Sequence, residues 1–165
     1  MADLGTPAQT LAAWVEIPAR IETTIRGLTE DELNLKDADG LSIREKVHHL
    51  VEANIVAAGI VIAAIGSGGC TYDWSWLYPD AKWTRRMGYG ALPIDPAIET
   101  LKALSRYVAI IIAANHNAPQ QELKLLDVPG SEPRPTTVNA VLEEEVKHTD
   151  MHLGEAEQIR KRHQR

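Results

Sequence analysis

Four stretches of the chain repeat apolar residues at helical spacing, and polar or glycine-rich connections separate them. The first predicts a helix over 7–28, where Leu11, Trp14, Val15, Ile21, Ile25 and Leu28 share a face. Thr6 can cap it and Pro7 suits its first turn, while Pro18 inside it should kink the helix or shift its start. In "TEDEL" (29–33), Thr29 and Glu32 have capping-box spacing and predict a short extra turn. The second long helix follows Ser42, with Glu45 completing another capping box, and "GSGG" (66–69) ends it. Ile43, Val47, Leu50 or Val51, Asn54, Ala58 and Ile62 mark its inward face.

A third helix is predicted over 95–115, with Asp95 as N-cap and Pro96 in the first position. The fourth starts at Thr136 or Thr137 and runs to about 162. Its apolar stripe is Val138, Val141, Leu142, Val146, Leu153, Ala156 and Ile159. Two connections are long. Residues 67–94 hold three of the four tryptophans and three of the four tyrosines, so this segment either covers the open end of a bundle, serves function, or does both. Residues 116–136 are rich in proline, glycine and polar residues and read as loop, with "LKLLDV" (123–128) as a short extended piece. No convincing alternating strand set is present. The pattern predicts an all-α four-helix bundle with long connections, one domain over 1–165.

Composition narrows the partners. The chain of 165 residues is 44% hydrophobic and 24% charged, the profile of an ordinary globular domain. Its net charge of -6 and the absence of a basic stripe give nucleic-acid binding no electrostatic support. The single cysteine, Cys70, cannot form an internal disulfide, which fits a reducing cytoplasm. The N-terminus lacks the basic and apolar regions of a signal peptide, and the apolar run 55–66 is too short for a bilayer, so no membrane is expected.

Candidate chemistry rests on histidine. His148 and His152 in "HTDMH" are four apart, so on a helix they point about 40° apart and one turn from each other. Two such imidazoles can share one metal ion, although the glutamate of the zinc-protease motif is missing after the first. By itself the pair also suits a solvated acidic helix. The second helix offers His48 and His49, which diverge by about 100° and flank its apolar face from opposite sides. Helix geometry does not choose between them. His116 and His163 fit helix ends and exposed positions. Glu52, three residues after His49, and Glu145, three before His148, can orient an imidazole or simply sit in solvent. Tyr72, Trp74, Trp76 and Trp83 can wall a substrate entrance or pack the bundle end.

The stretch "IPARIETTIRGLTEDELNLKDADGLSIREKVHHLVEAN" (17–54), followed by "HTDMHLGEAEQI" (148–159), resembles the DinB/YfiT-like superfamily of metalloenzymes. The likeness is strong over 17–54 and 137–160 and loose over 70–135. It implies a four-helix bundle, often a homodimer, holding one divalent metal ion on three histidines, one from the second helix and two from the last. In members with the His-His doublet the second histidine is the ligand, which implies His49, His148 and His152 here. The chain departs from the pattern at Leu41, where members often carry an aromatic residue, and in lacking extra histidines on the last helix, so no particular substrate carries over.

Three neutral imidazoles leave positions open on an ion, the pattern of a catalytic rather than a structural site. Two reactions on a small molecule follow: hydrolysis through an acidified water, or transfer of a low-molecular-weight thiol held as thiolate. The resemblance covers both, as hydrolase and thiol S-transferase. Zinc and nickel lead among the ions that imidazole suits. The alternatives are a non-catalytic metal-binding stress-response or interaction protein, and a structural bundle with an incidental histidine cluster.

Overall fold

In the computed structural model, which describes residues 4–77 and 80–163, four long helices form the bundle and two short ones and a small sheet cap it. Helix α1 (Pro7–Ile25) is capped by Thr6, whose hydroxyl accepts from the Gln9 amide, and runs on through Pro18. It stops three residues earlier than the periodicity predicts because Gly27 adopts φ +75°, a left-handed turn that side chains resist. Helix α2 (Glu30–Leu33) is the expected short turn, with the Thr29–Glu32 capping box formed in both directions.

Helix α3 (Ile43–Ser67) starts at Ser42 with the second capping box and ends at Gly68 in the left-handed region. The run 55–66 is thus half of a 25-residue helix, long and apolar enough by length and composition alone to cross a membrane; here its deep side lies in the bundle. Ile43, Val47, Leu50, Asn54 and Ala58 are buried as expected, but the line continues through Val61 and not Ile62, which is exposed. Eighteen residues make five full turns, so Val61 stands in line with Ile43 and Ile62 is rotated about 100° away.

Residues 67–94 are more ordered than a loop. They contain strand β1 (Thr71–Asp73), helix α4 (Ala81–Met87) and a 3-10 turn (Tyr89–Ala91). Helix α5 (Ile94–Ala114) begins before the expected cap. Pro93 is its N-cap residue, and Asp95 lies inside the first turn, where a carboxylate suits the positive end of the helix. The segment 116–136 likewise holds structure the periodicity did not mark as a sheet: strands β2 (Glu122–Leu126) and β3 (Arg134–Thr137). β2 lies in the middle, parallel to β1 and antiparallel to β3. Only Leu123 and Leu125 of β2 point into the core, too short an alternation to stand out in sequence. Helix α6 (Val138–His163) follows β3 directly, and the Thr137 hydroxyl accepts from the Ala140 amide.

α6 packs between α1 and α3, and α5 packs on the other side of the same two helices, so the successive helices α1 and α3 lie across a diagonal. The long connection carrying α2 makes that crossing possible. The core runs along the axis through Trp14 and Ile21 of α1, Leu50 and Val61 of α3, Leu101 and Val108 of α5, and Val146 and Ile159 of α6, each fully or almost fully buried. The sheet closes the side of the bundle where α3 meets α6, and there the polar residues gather.

Candidate metal centre

His49 on α3 and His148 and His152 on α6 converge across the α3–α6 seam. Their Nε2 atoms face one another, 3.2 Å between His49 and His148 and 3.0 Å between His148 and His152. All three ligand atoms lie within 4.8 Å of one another. The i, i+4 spacing on α6 brings the latter two together, as helical geometry requires. Packing decides the doublet on α3. His49 turns toward α6, whereas His48 stacks on Tyr89 and its Nε2 lies 3.3 Å from the Leu92 carbonyl.

Each imidazole has a carboxylate on its Nδ1 side, three residues away on the same helix. Glu155 Oε2 is 2.8 Å from His152 Nδ1, Glu145 Oε2 is 3.3 Å from His148 Nδ1, and Glu52 Oε2 is 3.9 Å from His49 Nδ1. In the first two, the carboxylate favours the tautomer with the proton on Nδ1, and in that tautomer the Nε2 lone pairs are bare and point inward. Burial, with His148 and His152 adding to it, pushes His49 down to about 3, so it is neutral at pH 7. Burial likewise lowers His152, against the pull of Glu155. Bare lone pairs facing each other near 3 Å repel unless a cation lies between them. Donors about 2.0–2.1 Å from a tetrahedral ion stand about 3.3 Å apart, close to the separations seen. The donor set therefore fits a divalent ion with three imidazole ligands.

The surrounding carboxylates are themselves held. Asn54, the polar residue in the buried line of α3, donates to Glu145 Oε1 at 2.8 Å. Burial raises the Glu145 carboxyl above its ordinary range. Trp83 of α4 donates its indole N–H to Glu52 Oε1 at 2.7 Å. Glu52 Oε2 and His49 Nδ1 are buried with no hydrogen-bond partner among the described residues. Burial raises Glu52, partly offset by Trp83 and Tyr89. Burial and the Glu52 charge push the Tyr89 hydroxyl up to about 12. On the far side, Lys46 reaches Glu155 at 2.7 Å and Asp37 at 2.6 Å with its side chain only 4% exposed. Glu155 and Lys46 were not singled out from the sequence. Glu155 has the same three-residue offset from its histidine as Glu52 and Glu145 and could have been found by it. Lys46 pairs across 109 residues and leaves no local signal.

His49 and His148 open onto a cavity of about 460 Å³ between α3, α6, β2 and the segment after β1. Val56, Ile60, Leu77, Leu125 and Val141 give it apolar walls. Of the aromatic residues predicted for an entrance, Trp74 lines this cavity and Trp83 stands behind it on Glu52. Tyr72 packs over α3 at Gly59, where an added Cβ would stand 3.0 Å from its hydroxyl. Trp76 is 63% exposed, beside Trp83 and on the neighbouring groove rather than in the cavity.

No protein-family model matches the chain. A curated protein of Geobacillus thermodenitrificans (strain NG80-2), described as "Putative metal-dependent hydrolase", is 27% identical over 116 residues. That match takes in 68% of this chain and 62% of the relative, less than two thirds of its length. A solved structure described as "YfiT from Bacillus subtilis is a probable metal-dependent hydrolase with an unusual four-helix bundle topology" superposes with a TM-score of 0.78. It covers 98% of this chain and 90% of that one at 13% identity, a likeness of fold.

Proposed function

We propose that this chain, a DinB/YfiT-like four-helix bundle, is a metal-dependent hydrolase acting on a small molecule at the His49, His148 and His152 site. The observation that carries the reading is the convergence of three Nε2 atoms at the end of an apolar cavity. A divalent ion there, zinc or nickel, supplies a Lewis acid and an acidified water at neutral pH. Glu145 and Glu155 hold the Nδ1 protons of His148 and His152 and so fix which nitrogen faces inward. The apolar walls seat the body of the substrate and keep bulk water from the reacting bond. Glu52 lines the cavity beside His49 with Oε2 unpartnered and its carboxyl raised by burial, which suits it to take up and return a proton.

The descriptions of the curated relative and of YfiT support hydrolysis over the other reading, transfer of a small thiol bound as thiolate, which neutral imidazole donors also permit. Metal analysis of the purified protein, followed by ester and amide hydrolysis before and after chelation and reloading, tests the proposal. A parallel assay supplies a thiol and an electrophile. Hydrolysis lost on chelation, restored on reloading and absent in His49→Ala is expected. A metal-loaded protein with neither activity would leave the non-catalytic reading. A homodimer in a reducing cytoplasm completes the proposal. Ile55 and Ile62 on α3 and Tyr107 and Ile110 on α5 are exposed large apolar residues that a second copy would cover. Sedimentation of the wild type against Ile62→Asp tests that part.

A further inference from the structure

The cavity beside the three histidines is apolar along its walls and, among the described residues, its polar lining is dominated by carboxylates. Its polar lining consists of His49, His148, Glu52, Asp127, Glu144 and Glu145, with the indole of Trp74. Among the described residues no lysine or arginine lines it. The Trp74 N–H is committed to Asp127 Oδ1 at 2.8 Å. At the mouth, two carboxylates share one guanidinium: Arg134 Nε donates to Asp127 Oδ2 at 2.8 Å and its NH1 nitrogen to Glu144 Oε1 at 3.0 Å. The second terminal nitrogen faces the same two carboxylates. The mouth therefore carries one uncompensated negative charge, and its cation is already engaged. Within the cavity, His49 is nine-tenths buried and its unpartnered Nδ1, which carries the proton when Nε2 faces the cluster, is the one donor left free among the described lining residues. The nearest lysine to the histidines, Lys46, is tied to Asp37 and Glu155 and does not line the cavity.

An anion needs donors to replace the water it loses on entering such a space, and at the mouth, away from the histidines, it would meet carboxylates instead. A neutral apolar group loses nothing, and an ammonium at the mouth gains the one negative charge that Arg134 leaves uncompensated. From this we infer that the substrate is an apolar compound whose end remote from the reacting bond is uncharged or bears an amine, and that carboxylate- and phosphate-bearing substrates are excluded. This rests on the proposed hydrolase site, whose histidine end holds the reacting bond. It deepens that reading by naming the substrate class. It also sets acid-bearing small thiols against the electrostatics of the cavity.

Three hydroxamates test it, because the hydroxamate anchors every member at the histidine end alike. Each carries the same six-carbon chain and ends in an ammonium, a methyl or a carboxylate group. Binding to zinc-loaded protein is measured by calorimetry at low ionic strength. The ammonium and methyl ligands should bind more tightly than the carboxylate, by about tenfold between the extremes. Glu144→Gln should narrow the ammonium-to-carboxylate ratio without weakening the methyl ligand. A carboxylate ligand that binds as well as the methyl one would overturn the inference, and so would a failure of all three to bind. The matching esters separate this result from the parent proposal. The expected binding order without turnover sinks hydrolysis and leaves the cavity's selectivity standing. Turnover that favours the carboxylate ester does the reverse.

Discussion

Replacing Lys46 by Met probes the least expected feature of the site. The ammonium is 4% exposed and lies 2.6 Å from Asp37 and 2.7 Å from Glu155. Burial alone would lower its pKa, but Asp37 and Glu155 outweigh burial and hold it above its ordinary value of 10.5. Methionine fills similar space and leaves two carboxylates without their shared cation. Breaking a buried pair from one side costs about 3–5 kcal/mol. The side chain of Glu155 is 36% exposed and that of Asp37 is 12% exposed, so water recovers part of that loss and about 2–3 kcal/mol is expected. For a chain of this size that lowers Tm by roughly 4–12 °C. The pH dependence has a worked sign. The raised Lys46 pKa contributes stability that is complete below 10.5 and is lost as pH climbs through the folded value. Burial raises Asp37, but Lys46 and the Leu41 and Asp39 amides bring it below 3.8, so its share is present above 3.8 and is lost as pH falls through the folded value. Urea unfolding of metal-free wild type and Lys46→Met, from pH 3 to 11, should show a gap that is flat through neutrality and starts to narrow at both ends. A gap below about 0.5 kcal/mol at pH 7, within ordinary surface-substitution scatter, would refute the claim that this buried triad supports the site.

Other expectations follow from single contacts. Glu155→Gln should weaken metal binding about tenfold or more in a chelator-competition titration, while His48→Ala, outside the cluster, should leave it unchanged. Ser42→Ala removes the hydroxyl that accepts from the Glu45 amide at the buried start of α3 and should cost about 1–2 kcal/mol by denaturant unfolding. Gly59→Ala brings a methyl group to 3.0 Å from the Tyr72 hydroxyl and should destabilise by about 1 kcal/mol. The double variant with Tyr72→Phe should recover most of that, and equal losses in the two would discount the contact.

Much of the bundle was legible because its signals are local. Thr6, Thr29 and Ser42 begin their helices where capping chemistry places them, and the apolar stripe of α6 and that of α3 as far as Ala58 become core. The misses have physical causes. Helix α1 stops at Ile25 because Gly27 turns left-handed, and α5 starts at Ile94 ahead of the apparent cap at Asp95. Strand β2 falls on the extended piece expected at 123–128, but β1 and β3 left no mark because they are only three and four residues long, and β1 pairs with a segment some 50 residues away.

The site divides the same way. Spacing along a 3.6-residue helix by itself determined that His148 and His152 share a face and that Glu52 and Glu145 lie within reach of an imidazole. It could not determine which of His48 and His49 turns inward, since that depends on how α3 is rotated against α6 and α5. Resemblance to a family pointed to His49, and packing sets it there, with His48 against Tyr89 and the Leu92 carbonyl. Lys46 meeting Glu155, Asn54 meeting Glu145, Trp83 meeting Glu52 and β2 walling the cavity are likewise contacts between distant segments. Local periodicity encodes the direction of a side chain about its own helix; only the packed bundle decides what stands opposite.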